Sequence, residues 1–109
     1  MAPEVNPNPN ERIITEEDCA ETNLGNGILT LTNQRIIFEQ TEGTMATLSK
    51  KVGKLLLDLP LQNLDSISHE GFIITKVVIS AKGKTYKFSV FNSKKWPRDI
   101  KDQRDNLLL

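Results

Sequence analysis

The hydrophobic period of this chain changes once, near residue 91. Before that point apolar residues recur at every second position in short runs: Leu29 and Leu31, Ile36 and Phe38, Leu55, Leu57 and Leu59, then Tyr86, Phe88 and Val90. A period of two places such side chains on one face of a strand. Beyond it, Trp96, Ile100 and Leu107 fall at spacings of four and seven, which is one face of a helix. About seven short strands followed by one helix leave few architectures open. The strands need a shared apolar interior, and the helix needs an apolar surface to cover, as the open end of a sandwich or small barrel provides.

The turn residues divide the strands. Ile13–Asn23 is polar and acidic, and reads as a first strand with a wet outer face. In "NLGNG" (23–27), Gly25 and Gly27 can both take positive φ. Ile28–Thr32 and Arg35–Gln40 form a hairpin in which Thr32 and Asn33 make the turn and Arg35 braces it or lies at the surface. "TEGTMATLSKKVGK" (41–54) reads as a long connection. Leu55–Leu59 follows, with its three odd-numbered leucines sharing a face, until Pro60 ends it or marks an edge. "LQNLDSISHE" gives a strand with Ile67 inward, Phe72–Ser80 is rich in β-branched residues, and "AKGK" turns at Gly83 into Thr85–Phe91. Asn92 or Ser93 can cap the helix. Pro97 is tolerated only in its first turn, so the helix begins at 94–97.

At 109 residues the chain has room for one domain, and its 38% apolar content supports one modest core. Residues 1–10 hold three Pro and three Asn, so 1–11 is expected to be a flexible tail and 12–109 the domain. No 18-residue apolar run is present, and "MAPEVNPNPNE" lacks the pattern of a signal peptide. A cytoplasmic protein is expected, and the lone Cys19 agrees with a reducing compartment. The leucine run at 107–109 reads as the cut end of a longer chain. The net charge is zero, yet residues 1–49 carry eight acids against Arg12 and Arg35, while residues 50–109 carry twelve bases against six acids. Such asymmetry marks a binding surface or is an accident of chain order.

Catalytic chemistry is hard to find. Cys19 and His69 are the only Cys and His, and nothing in their flanks suggests an activated pair, so a structural thiol and a surface imidazole are expected. Two such ligands are too few for a structural zinc site. "EEDCAE" (16–21) lacks the spacing and glycine of a calcium loop and reads as a solvated strand edge. "KVGK" and "KGK" are too short for a phosphate loop. A neutral chain lacks the charge excess that nucleic acid demands, and Tyr86 and Phe88 read as core. No cofactor, metal or catalytic residue is assigned.

One stretch suggests binding. Lys50, Lys51 and Lys54 lie close together, just after Met45 and Leu48. Basic groups beside apolar ones suit an anionic membrane surface, where each Lys contributes on the order of 1 kcal/mol. The plainer reading is a loop with solubilising lysines.

The pattern resembles the pleckstrin-homology (PH) superfold, a seven-stranded split barrel capped by an amphipathic C-terminal helix. "GILTLTNQRIIFE" (27–39) resembles the signature hairpin of GRAM and related PH-like families. "LLLDLPLQNLDSI" (55–67) is similar to the segment that follows it, and "GKTYKFSVFNSKKW" (83–96) to the last strand and the start of the closing helix. The resemblance spans roughly residues 12–105. It implies a non-enzymatic adaptor that binds anionic lipid or a partner protein. The hairpin is similar also to that of the GLUE domain of an ESCRT-II subunit, which implies ubiquitin binding as the alternative, with Phe72, Ile73 and the exposed side of the 94–109 helix as the candidate surface. Lipid-binding PH domains carry basic residues around the first hairpin. "NLGNG" has none, and the basic loop here is the later one at 50–54.

Overall fold

The computed structural model describes residues 6–41, 51–71, 75–91 and 93–107. Seven strands, β1 (Ile13–Glu21), β2 (Gly25–Thr32), β3 (Arg35–Thr41), β4 (Lys51–Pro60), β5 (Leu64–Glu70), β6 (Lys76–Ala81) and β7 (Lys84–Ser89), precede one helix, α1 (Lys95–Leu107). The strands form one antiparallel sheet in the order β4-β3-β2-β1-β7-β6-β5. Only two residue pairs, Ala20 with Ser89 and Glu21 with Phe88, join β1 to β7. The sheet is thereby split into a four-stranded and a three-stranded part.

Register sorts the side chains. Leu31, Ile36 and Leu59 form one cross-strand row, and Leu29, Phe38 and Leu57 the next. These rows meet Val77, Ile79 and Phe88 from the smaller part and Trp96 and Ile100 from α1 in a single core. Phe38 and Phe88 close it edge to face, with ring centroids 5.3 Å apart. Such a pair is worth about 0.5–1.5 kcal/mol beyond the area it buries. Ile28, Thr30, Ile37 and Glu39, on the opposite face of β2 and β3, are buried as well, so the sheet is covered on both sides there.

Four expectations are corrected. The connection after β3 is shorter than 41–54, because β4 begins at Lys51 and pairs back to Thr41 and Gln40. Its polar start looks like a loop, but β4 is an edge strand, where lysines are at home. The odd-numbered leucines of β4 do not share one face: a bulge sets Phe38 opposite Leu57 and Glu39 opposite Leu55, and Leu55 is exposed. Leu107, seven residues beyond Ile100, is exposed at the end of α1. Only Gly25, φ +86°, has a positive φ in its turn. Gly27 is needed for space, since a Cβ there would lie 2.5 Å from the Glu39 carbonyl oxygen and 2.5 Å from the Phe38 ring.

Candidate functional site

Of the residues expected to bind an anionic surface, Lys51 and Lys54 lie on β4, with Lys54 exposed. Lys54 pairs with Gln40, which pairs with Gly27, which pairs with Cys19. This row lies at the end of the sheet that holds the β1–β2 turn. Met45, Leu48 and Lys50 lie outside the described residues, as do Phe72 and Ile73. The lysines are therefore strand residues, held on an edge whose outer backbone groups have no partner strand among the described residues. Lys82 and Lys84, exposed at the β6–β7 hairpin, add further positive charge. The sequence showed them as "KGK", which is too short to be read as a phosphate loop but is a basic hairpin tip.

The opposite end of the hairpin is a polar lock. Arg35 Nε donates to Glu11 Oε2 at 2.8 Å, and its Nη2 to Glu11 Oε1 at 2.9 Å. Its Nη1 donates to Asp58 Oδ2 at 2.8 Å, and Nη2 also reaches the Asn6 carbonyl at 3.0 Å. The Thr32 hydroxyl donates to Glu11 Oε2 at 2.8 Å and accepts from the Gln34 and Arg35 amides, both at 3.0 Å. Asn33 Oδ1 accepts from the Arg12 amide at 2.8 Å, its Nδ2 donates to the Asn10 carbonyl at 3.0 Å, and Gln34 Nε2 donates to the Pro9 carbonyl at 2.8 Å. The described part of the expected tail, residues 6–11, is thus bonded to the β2–β3 turn. Burial pushes the Glu11 carboxyl up. The Arg35 guanidinium, the Asn8 amide and the Thr32 hydroxyl outweigh it and hold the pKa near 2, against the ordinary 4.5. Arg35 braces the turn, as its position at the hairpin exit suggests. A cleft of about 530 Å³ opens beside the lock, lined by Asn8, Gln34, Asp58, Pro60, Gln62 and Leu107 as well as Arg35.

The acids of β1 are not a solvated edge throughout. Glu21 is buried, and its Oε1 accepts from the Asn23 and Leu24 amides at 2.7 and 2.9 Å while Oε2 accepts from Lys87 N at 2.8 Å. That one carboxylate caps the β1–β2 turn and ties β1 to β7. Glu17 shares a row with Leu29 and Phe38. Its Oε1 accepts from the Trp96 indole at 3.0 Å and its Oε2 from the Phe91 amide at 2.5 Å. Glu17 fastens the start of α1 to the sheet. Register explains what composition could not: the odd-numbered acids of this strand face backbone and indole donors that need acceptors.

Cys19 is half-buried, and burial together with the charges of Glu17 and Asp18 pushes its thiol pKa up to about 12. It is a protonated thiol at neutral pH. His69, exposed on β5, is separated from β1 by two strands in the sheet order. Among the described residues no group of three His, Cys, Asp or Glu is placed to hold a metal ion.

No family model and no curated protein sequence matches the chain. Among solved structures it is similar to one described as the Vps36 N-terminal PH domain, with a TM-score of 0.66 and 18% identity over 94% of this chain and 86% of that one. At that identity the likeness is one of fold. Seven antiparallel strands in one sheet, closed by a C-terminal helix, give this chain a PH-like fold.

Proposed function

We propose that the chain is a non-enzymatic PH-like binding module that docks on an anionic membrane surface as part of a larger adaptor. The PH-like fold supports a binding role. The observation that carries the choice of partner is Lys54, exposed at the start of an edge strand beside Lys51. In this reading Lys50, Lys51 and Lys54 supply the electrostatic contact, and Met45 and Leu48 dip into the headgroup region. The protonated Cys19 thiol, far in the sheet order from His69, gives no nucleophile to such a module. No helix among the described residues is long and apolar enough to cross a membrane, and attachment would be peripheral, from the cytoplasm. Sedimentation with phosphatidylserine-containing vesicles tests the reading. At about 1 kcal/mol per Lys, a Lys50/Lys51/Lys54→Ala variant binds roughly a hundredfold more weakly at low salt. Equal pelleting of variant and wild type would sink the proposal.

The likeness to the Vps36 N-terminal PH domain favours one second reading, a GLUE-like ubiquitin-binding domain of an ESCRT-II-type subunit. Phe72, Ile73 and the exposed side of α1 would form its surface. Titration of the labelled chain with ubiquitin tests it, and unchanged amide shifts at millimolar ubiquitin exclude it.

A further inference from the structure

Four large apolar side chains stand out at the described surface. Ile13, Leu55 and Leu107 are 40–44% exposed, whereas Phe91 is 94% exposed. Scattered, half-exposed apolar residues are ordinary, but a phenyl ring almost wholly in water is costly. Phe91 is not loosely placed. Its amide is held by Glu17 Oε2, and the same carboxylate holds the Trp96 indole at 3.0 Å. Val90 before it and Ser93 after it are both buried. The ring is fixed outward by the contacts that dock α1.

The charge beside it is basic. Lys94, just before α1, and Lys95, Arg98 and Lys101 in its first part are exposed, and the first turn contains no acid. The helix dipole favours acids at that end, whereas Arg104 in the last turn follows the usual order. Lys94, Arg98 and Lys101 follow spacings of four and three and so form one outward stripe. Asp99 lies 3.5 Å from Arg98, and the exposed Asp102 and Asp105 follow Arg98 and Lys101 by four residues each. Positive charge is therefore concentrated at the end of the stripe next to Phe91, at Lys94.

We infer that Phe91 and the Lys94–Arg98–Lys101 stripe form a second membrane contact, with the ring seated in the headgroup region of an anionic bilayer and the cations on lipid phosphates and carboxylates. The inference rests on the membrane reading above but assigns a surface separate from β4. A lone ring among charged groups fits a lipid interface better than a protein interface, whose centre is depleted of charge.

The test is partitioning of the whole chain onto vesicles with and without phosphatidylserine, comparing wild type, Phe91→Ala and Lys94/Lys101→Ala. Circular dichroism confirms that each variant folds. Expected losses are roughly tenfold for the ring and roughly fivefold per lysine, the latter fading with salt. In Phe91→Trp, brominated phosphatidylserine quenches the new indole. In wild type the buried Trp96, the only Trp, stays unquenched. If wild type binds vesicles and Phe91→Ala binds equally well, the ring is a protein contact instead and this inference alone falls. If wild type binds no anionic vesicle, the membrane reading falls with it.

Discussion

Neutralising Glu11 should remove a large electrostatic contribution to the fold. Its carboxyl is nearly out of contact with water, with 3% of the side chain exposed, and is held near pKa 2 against an ordinary 4.5. At about 1.4 kcal/mol per tenfold change, that gap corresponds to roughly 3 kcal/mol of stability at pH 7. The folded-state pKa is the lower one. The contribution is therefore fully present above about pH 4.5, falls to roughly 1.4 kcal/mol at pH 3, and vanishes below pH 2. Glu11→Gln keeps the shape and an acceptor oxygen but cannot ionise. Urea unfolding of wild type and variant at pH 7, 4.5 and 3 gives the difference at each pH, and the other carboxylates cancel in it. The expected differences are about 3, about 3 and about 1.4 kcal/mol. A constant difference below about 0.5 kcal/mol would show that residues 6–11 do not hold Arg35 in solution.

Gly27→Ala should cost roughly 2 kcal/mol or more, since the added methyl group meets a backbone carbonyl and the Phe38 ring at 2.5 Å; thermal denaturation measures it. Leu57→Ala should cost roughly 2–3 kcal/mol and Leu55→Ala less than about 1, because the β4 bulge turns only Leu57 into the core row. Equal losses in chemical denaturation would place the bulge elsewhere. Cys19 should react with a disulfide reagent at pH 8 at least roughly a hundredfold more slowly in the folded chain than in urea, because its thiol stays protonated up to about pH 12.

The fold was legible where one face of an element is buried and the period is clean. Leu29 and Leu31, Ile36 and Phe38, Phe88 and Val90, and Trp96 with Ile100 all lie in the core that alternation and helical spacing predict. It was illegible where a local irregularity or a long-range partner decides. The β4 bulge breaks an alternation that looks unbroken in "LLLDL", and only pairing with β3 reveals it. Glu17 and Glu21 look like solvated acids because their partners, Trp96, Phe91 and Lys87, lie 66 or more residues away. The candidate site was half legible. Clustered lysines on β4 stand out in composition. The full exposure of Phe91 depends on where β7 stops, at Ser89, one alternation short of the expected end.

The same long-range contacts bear on the charge asymmetry between the two halves. Of the six described acids before residue 50, only Asp18 is exposed. Glu11 is neutralised by Arg35, and Glu17 and Glu21 are occupied by backbone and indole donors. The bases after residue 50 lie mostly at the surface: Lys54, Lys82, Lys84, Lys94, Lys95, Arg98 and Lys101 are exposed, with Arg98 3.5 Å from Asp99. A zero net charge therefore understates the positive field that an approaching anion meets, because field at the surface depends on where charges sit rather than on their sum. The acid-rich half closes the barrel, and in doing so leaves the exposed surface more basic than the chain. For the anionic membrane surface proposed above, salt should weaken binding even though the protein as a whole is neutral.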